Sequence, residues 1–82
     1  MDNATKLFKS IKESQIHKIK DEFDNGKKCA EDAINELSDL SEEIKKLQKN
    51  NTTTEFLDVS KKIQEELNDT IKHIYREGFS PR

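Results

Sequence analysis

Apolar residues recur at alternating spacings of three and four from Ile16 to Leu47. This is the heptad pattern of helices that pack through one seam. The seam has one gap, which falls at Gly26 in the turn-forming segment Asp24-Asn25-Gly26. The chain therefore either continues there as one long helix with a costly glycine or breaks, with Asp24 or Asn25 capping a second helix. The seam positions are Ile16, Ile19, Phe23, Ala30, Ala33, Leu37, Leu40, Ile44 and Leu47.

The first helix carries another apolar stripe upstream of this seam. At 100° per residue, that stripe lies about 100° around the helix from the cluster of Ile16, Ile19 and Phe23. The register of the apolar pattern therefore slips between Lys12 and Gln15. The upstream stripe consists of Ala4, Leu7, Phe8 and Ile11.

A second interruption is the polar stretch 49–54. Thr52 and Glu55 have the spacing of a capping box, in which two side chains satisfy free amides at a helix start. The sequence therefore predicts a new helix over about 54–77. Its apolar face consists of Phe56, Val59, Ile63, Leu67, Ile71 and Ile74.

The end of this helix is expected at Gly78, because glycine readily adopts the left-handed conformation that terminates helices. Phe79 would then pack near Ile74, as in a Schellman motif. Residues 1–79 would form a single helical domain, and residues 80–82 a tail.

Helix length favours one of the two architectures. At 1.5 Å per residue, a continuous helix from Ala4 to Lys49 would be about 69 Å long, whereas the last helix would be about 36 Å long. A hairpin of such unequal arms leaves half of the long apolar stripe exposed. A break at residues 24–26 gives three helices of similar length, so we predict a small antiparallel all-α three-helix bundle. The alternative is a long helical hairpin that dimerises into a coiled coil or four-helix bundle. The predicted helices span about 4–23, 27–49 and 54–77.

Composition narrows the possible locations of the protein. The chain has 82 residues, of which 30% are hydrophobic and 39% charged, with a formal net charge of −2. No apolar run approaches the ~20 residues that span a bilayer, and the N-terminus lacks the apolar stretch of a signal peptide. A single cysteine, Cys29, forms no internal disulfide, which suits a reducing compartment. We therefore expect a soluble, cytoplasmic protein.

The residue types that carry catalysis are sparse. The two histidines, His17 and His73, project away from the apolar stripes, and most acids have a lysine at helical spacing. There is no glycine-rich phosphate loop. We therefore expect no enzymatic activity, cofactor or metal. A remote alternative is metal or redox sensing through Cys29, near a basic helix N-terminus, together with His17.

The remaining expectation is an interaction with another protein or with a second copy of the chain. We predict a small non-enzymatic interaction module, acting as an adaptor, inhibitor or assembly subunit through one helical face. The candidate face lies on the acidic middle helix and consists of Glu31, Glu36, Asp39 and Glu43.

The first helix offers an alternative surface. Between Lys6 and Lys20 it has five lysines and a single acid, interleaved with apolar residues. Basic amphipathic segments bind anionic membrane surfaces, partner grooves or nucleic-acid phosphates. Peripheral membrane binding through residues 4–20, with Lys9 and Lys12 as contacts, is therefore an alternative function, while the lack of an arginine cluster disfavours nucleic acid. Docking against the acidic segment 21–44 explains the same charges.

Overall fold

The computed structural model describes residues 3–50 and 53–79, apart from the side chain of Phe79. These residues form three helices: α1 spans Asn3–Asp24, α2 spans Ala30–Asn50 and α3 spans Thr54–Phe79. Each helix packs against both others, with α1 parallel to α3 and α2 antiparallel to them. The predicted three-helix bundle is confirmed, and the long-armed hairpin is wrong.

The break between α1 and α2 is made by Gly26, which has a left-handed φ of 75°. The Gly26 N–H donates to the Phe23 carbonyl at 3.1 Å, and the Lys27 N–H donates to the Glu22 carbonyl at 2.8 Å. These two bonds form a Schellman motif, which satisfies the last carbonyls of α1. The expected break is therefore present, but Gly26 closes α1 rather than opening α2.

The second helix begins three residues later than predicted. The Cys29 carbonyl accepts the first intrahelical bond, from the Ala33 N–H at 3.0 Å, which places Cys29 at the N-cap. Glu31 and Asp32 lie in the first turn, where acidic groups interact favourably with the helix dipole. The expected cap at Asp24 or Asn25 is therefore wrong.

Thr53 caps the third helix. Its hydroxyl oxygen accepts the Phe56 N–H at 3.3 Å, and its carbonyl accepts the Leu57 N–H at 3.0 Å. This makes Phe56 the third helical residue, where the capping box predicted Glu55. The expected cap, Thr52, lies outside the described residues.

Gly78 does not end α3, which continues to Phe79. Its predicted left-handed conformation is wrong, because Gly26 is the only described glycine with a positive φ. Instead, Gly78 permits close packing: a Cβ there would lie 2.5 Å from the Ala30 Cβ and 3.4 Å from the Phe23 ring. The expected contact of Phe79 with Ile74 involves a side chain outside the described part of the chain.

The core is formed by the predicted apolar positions of all three helices. Phe8 and Phe56 pack together with ring centroids 4.9 Å apart, where α1 and α3 begin. Leu47 departs from the predicted seam, since 38% of its surface is exposed. The buried apolar residues are Ile16, Ile19, Ala33, Leu37, Leu40, Ile44, Phe56, Val59, Ile63, Leu67 and Ile74.

In the N-terminal half of α1, the buried residues are not the apolar residues of the sequence pattern. Thr5 and Lys12 are buried, whereas Leu7 is 62% exposed and Ile11 is 53% exposed. The stripe of Leu7 and Ile11 lies about 100° around the helix from the stripe of Ile16 and Ile19. Because α1 is one continuous helix, the two stripes cannot both face the core. The bundle follows the register of the downstream stripe and leaves part of the upstream one in solvent.

Gly78→Ala tests the close approach of α3 to α2. The added methyl group collides with Ala30, and overpacking typically costs about 1–3 kcal/mol, more than the ~1 kcal/mol that alanine gains over glycine in a helix. We expect a lower free energy of unfolding by urea denaturation. The double variant Ala30→Gly/Gly78→Ala should regain much of the loss, because it removes the colliding atom. A Gly78→Ala protein more stable than wild type contradicts this packing.

Candidate functional site

A shallow groove lies between α1 and α2, with a volume of about 410 Å³. We call it the α1–α2 groove. Its floor includes Ile19 and Leu40, which are 7% and 8% exposed, respectively. Four acidic residues stand along its walls. They are Glu22, Glu36, Asp39 and Glu43.

Two lysines tie the walls of the groove together. Lys12 Nζ lies 3.0 Å from Glu43 Oε1, although 57% of the Glu43 side chain is exposed. Lys28 Nζ lies 3.4 Å from Glu22 Oε1 and also bonds to Glu36. The hydrogen bond to Glu36 raises the pKa of Lys28 above its ordinary value of 10.5. Lys12 and Lys28 therefore fix how α1 and α2 lie against each other.

An exposed apolar surface continues the groove towards the start of α1. Because Lys12 lies opposite Glu43 in antiparallel helices, Leu47 lies one turn further on, level with Phe8. Leu7 and Ile11 are within one turn of that level. We call Leu7, Ile11 and Leu47 the apolar end of the groove.

Charge is segregated along the length of α1 and α2. Residues 3–12 of α1 and residues 44–50 of α2 contain six lysines and no acid, whereas residues 13–43 contain ten acids and four lysines. Because α1 and α2 are antiparallel, the two lysine segments meet at the end of the bundle that carries the apolar end. This pair of helices is therefore basic at one end and acidic at the other.

The structure brings together only some of the predicted site residues. Glu36, Asp39 and Glu43 line the α1–α2 groove, while Glu31 is exposed but lies outside it. Lys9 Nζ lies 3.9 Å from Glu13 Oε1 on the surface of α1.

Lys12 has a different environment from the one predicted. It is only 6% exposed and its Nζ lies 3.0 Å from Glu43 Oε1, whereas the sequence suggested an exposed contact with a membrane or a partner chain. Sequence reasoning also missed the exposure of Leu7, Ile11 and Leu47. The register slip near Lys12 was the available signal, because it meant that one of the two stripes had to leave the core.

The histidines join α1 to α3. His17 Nε2 lies 3.0 Å from Glu66 Oε1, and His73 Nε2 lies 3.0 Å from Asp24 Oδ1. The hydrogen bond from His73, and then the one from Lys20, hold the pKa of the Asp24 carboxyl below its ordinary value of 3.8. Both pairs lie where α1 packs against α3.

Cys29 is exposed, with a free thiol. Within residues 3–50 and 53–79, no cluster of three or more His, Cys, Asp or Glu side chains has an arrangement that could hold a metal ion. Cys29 lies beside Lys28 and Asp32, whereas His17 bonds to Glu66 on α3.

Comparisons of the chain with protein-family models, curated proteins and solved structures find no match. None of the described helices is long and apolar enough to cross a membrane. The chemistry of the α1–α2 groove is therefore inferred from its own residues.

The Lys12–Glu43 pair can be tested by removing each partner. Glu43→Gln leaves a buried ammonium without its anion and should lower the free energy of unfolding by about 1–2 kcal/mol. Lys12→Met replaces the ammonium with an apolar group of similar length and should be neutral or stabilising, because burying a charge is itself costly. The exposed neighbour Glu42→Gln serves as the control in urea unfolding. If the Glu43 and Lys12 variants lose equal amounts of unfolding free energy, this explanation of the pair is wrong.

Asp24 predicts a pH dependence of stability. Because its pKa is lowered in the folded state, its bonds stabilise the protein above the unfolded pKa, and this contribution is lost as pH falls through the folded value. Asp24→Asn should therefore cost up to about 1 kcal/mol near neutral pH, a modest amount for a partly exposed pair. The difference from wild type should vanish well below pH 3.8. A difference that persists there, measured by urea unfolding at each pH, rules out the carboxylate as its source.

Proposed function

We propose that the protein is a non-enzymatic interaction module whose α1–α2 groove binds a helical face of another chain. The observation that carries this proposal is the apolar end, where Leu7 and Ile11 stay exposed while Lys12 of the same helix is buried. An adaptor, an inhibitor and an assembly subunit all use such a surface.

The spacing of the apolar groups suits a helix as the ligand. Leu7 and Ile19 are twelve residues apart on α1, which corresponds to about 18 Å. An amphipathic helix of about three turns spans that distance, and it presents apolar side chains at every third or fourth position. Leu7, Ile11 and Leu47 would contact one end of its stripe, and the groove floor of Ile19 and Leu40 the other.

The energetics favour using the whole groove. Fully burying an aliphatic side chain contributes about 1.5–3 kcal/mol, so the half-exposed residues of the apolar end offer roughly 1–1.5 kcal/mol each. Association costs at least several kcal/mol in lost freedom. The apolar end alone therefore gives weak binding, and the floor and charged walls must contribute to a useful affinity.

The charged walls would set the orientation of a bound helix. Glu36, Asp39 and Glu43 face one half of a bound helix, while Lys46 lies towards the other half. Complementary charges speed up association and disfavour the wrong orientation. We therefore expect the bound helix to be basic where it meets Asp39 and acidic where it meets the apolar end.

Photo-crosslinking with a matched pair of variants tests this proposal. Leu47 and Leu57 are 38% and 39% exposed, but Leu47 belongs to the groove's apolar end, whereas Leu57 lies on α3. A photo-reactive amino acid at Gln15, which lines the groove, should give a discrete crosslinked species in a native lysate. Where this species contains a different protein, excess wild-type protein and Leu57→Gln should compete it away, whereas Leu47→Gln should compete poorly. Equal competition by the two variants contradicts the proposal.

A further inference from the structure

We propose that the α1–α2 groove binds a second copy of this chain, packed antiparallel across a two-fold axis perpendicular to the bundle. This inference rests on the proposed function and names the occupant of the same surface. The positions of Lys46 and Asp39 on one face of α2, combined with the position of the apolar end, favour that occupant over an unrelated chain.

Charge along the α2 wall of the groove favours one orientation. Lys46 follows Asp39 by seven residues, so the two side chains lie on the same face of α2, with Lys46 nearer its C-terminal end. In an antiparallel pair, Lys46 of each copy would lie over the other copy's Asp39, whereas a parallel pair would place Lys46 on Lys46, and juxtaposed like charges are unfavourable. The α2 wall is therefore self-complementary in the antiparallel orientation.

The register of the two copies is set at the level of Lys12 and Glu43. The charge changes sign at Lys12 on α1 and at Glu43 on α2, and these two residues are paired at the same level of the bundle. A two-fold axis at that level brings Leu47 of one copy within about one turn of Leu40 of the other. It brings Lys46 within about one turn of the other copy's Asp39. One axis thus satisfies both the apolar and the charged groups.

The contact area sets how strong such a dimer is. Nine residues of α1 precede Lys12, so an axis at its level overlaps the two copies over about 27 Å of helix. With a bundle width of 18 Å, the projected area is roughly 490 Å² per partner, below the ~800 Å² of a standard interface. The apolar end alone, on the order of 300 Å², is no larger than an ordinary surface patch of a monomer. The dimer is therefore expected to be weak and to need the whole of this overlap. Such an interface is closed and does not propagate into a fibre.

Sedimentation equilibrium over a dilution series tests the proposal on the full chain. The wild type should form a dimer that dissociates on dilution, and added salt should weaken it because the charged groups lie near the surface. Lys46→Glu and Asp39→Lys should each raise the dimer dissociation constant about tenfold or more, since each variant places like charges together twice. Circular dichroism establishes that both variants remain helical and fold cooperatively.

Swapping the charges of Lys46 and Asp39 distinguishes a lost contact between two copies from a general loss of stability. An equimolar mixture of Lys46→Glu with Asp39→Lys should form a heterodimer, because both contacts then join opposite charges. The double variant Lys46→Glu/Asp39→Lys should regain the homodimer for the same reason. Leu47→Gln should weaken the dimer, while Leu57→Gln should leave it unchanged.

Two results overturn the inference: a wild type that is monomeric at every concentration, or a dimer that is indifferent to Lys46, Asp39 and Leu47. A monomer whose groove still crosslinks to a different protein overturns only the second copy as occupant and leaves the proposed function standing. A monomer with no crosslinked species from the groove removes both.

Discussion

The architecture depends on the left-handed turn at Gly26. Without it, the heptad seam from Ile16 to Leu47 runs along one arm and needs another chain to cover it. The Schellman bonds to Phe23 and Glu22 carbonyls stop α1 and reverse the chain, so that the two halves of the seam face each other. This reversal brings the basic start of α1 beside the basic end of α2. The charge polarity of the α1–α2 pair is therefore a consequence of one turn.

A packing conflict inside α1 links stability to interaction. One continuous helix carries two apolar stripes about 100° apart, and only one of them can face α2 and α3. The bundle buries the stripe containing Ile16, which brings Lys12 out of solvent beside Glu43. The same orientation of α1 leaves Leu7 and Ile11 exposed. A buried ammonium and an exposed apolar end thus have one cause.

Periodicity and turn chemistry were sufficient to predict the helix number, the break at residues 24–26 and most of the core. They were insufficient wherever the answer depended on how close two helices come. Gly78 looked like a helix terminator, yet its role is to admit the Ala30 methyl group, which lies 48 residues away in the sequence. Glu36, Asp39 and Glu43 share a helical face, so spacing alone placed them together. The burial of Lys12 could not be read from spacing, because the pattern does not say which α1 stripe faces inward.

The claim that the chain closes on itself can be tested by a nuclear Overhauser effect between the Phe8 and Phe56 rings. The labelled protein should be diluted into an excess of unlabelled protein, so that only contacts within one chain are observed. The bundle predicts a strong effect, because the two ring centroids are 4.9 Å apart. In a chain with one long helical arm, these residues would be about 60 Å apart, and the absence of the effect would contradict the account.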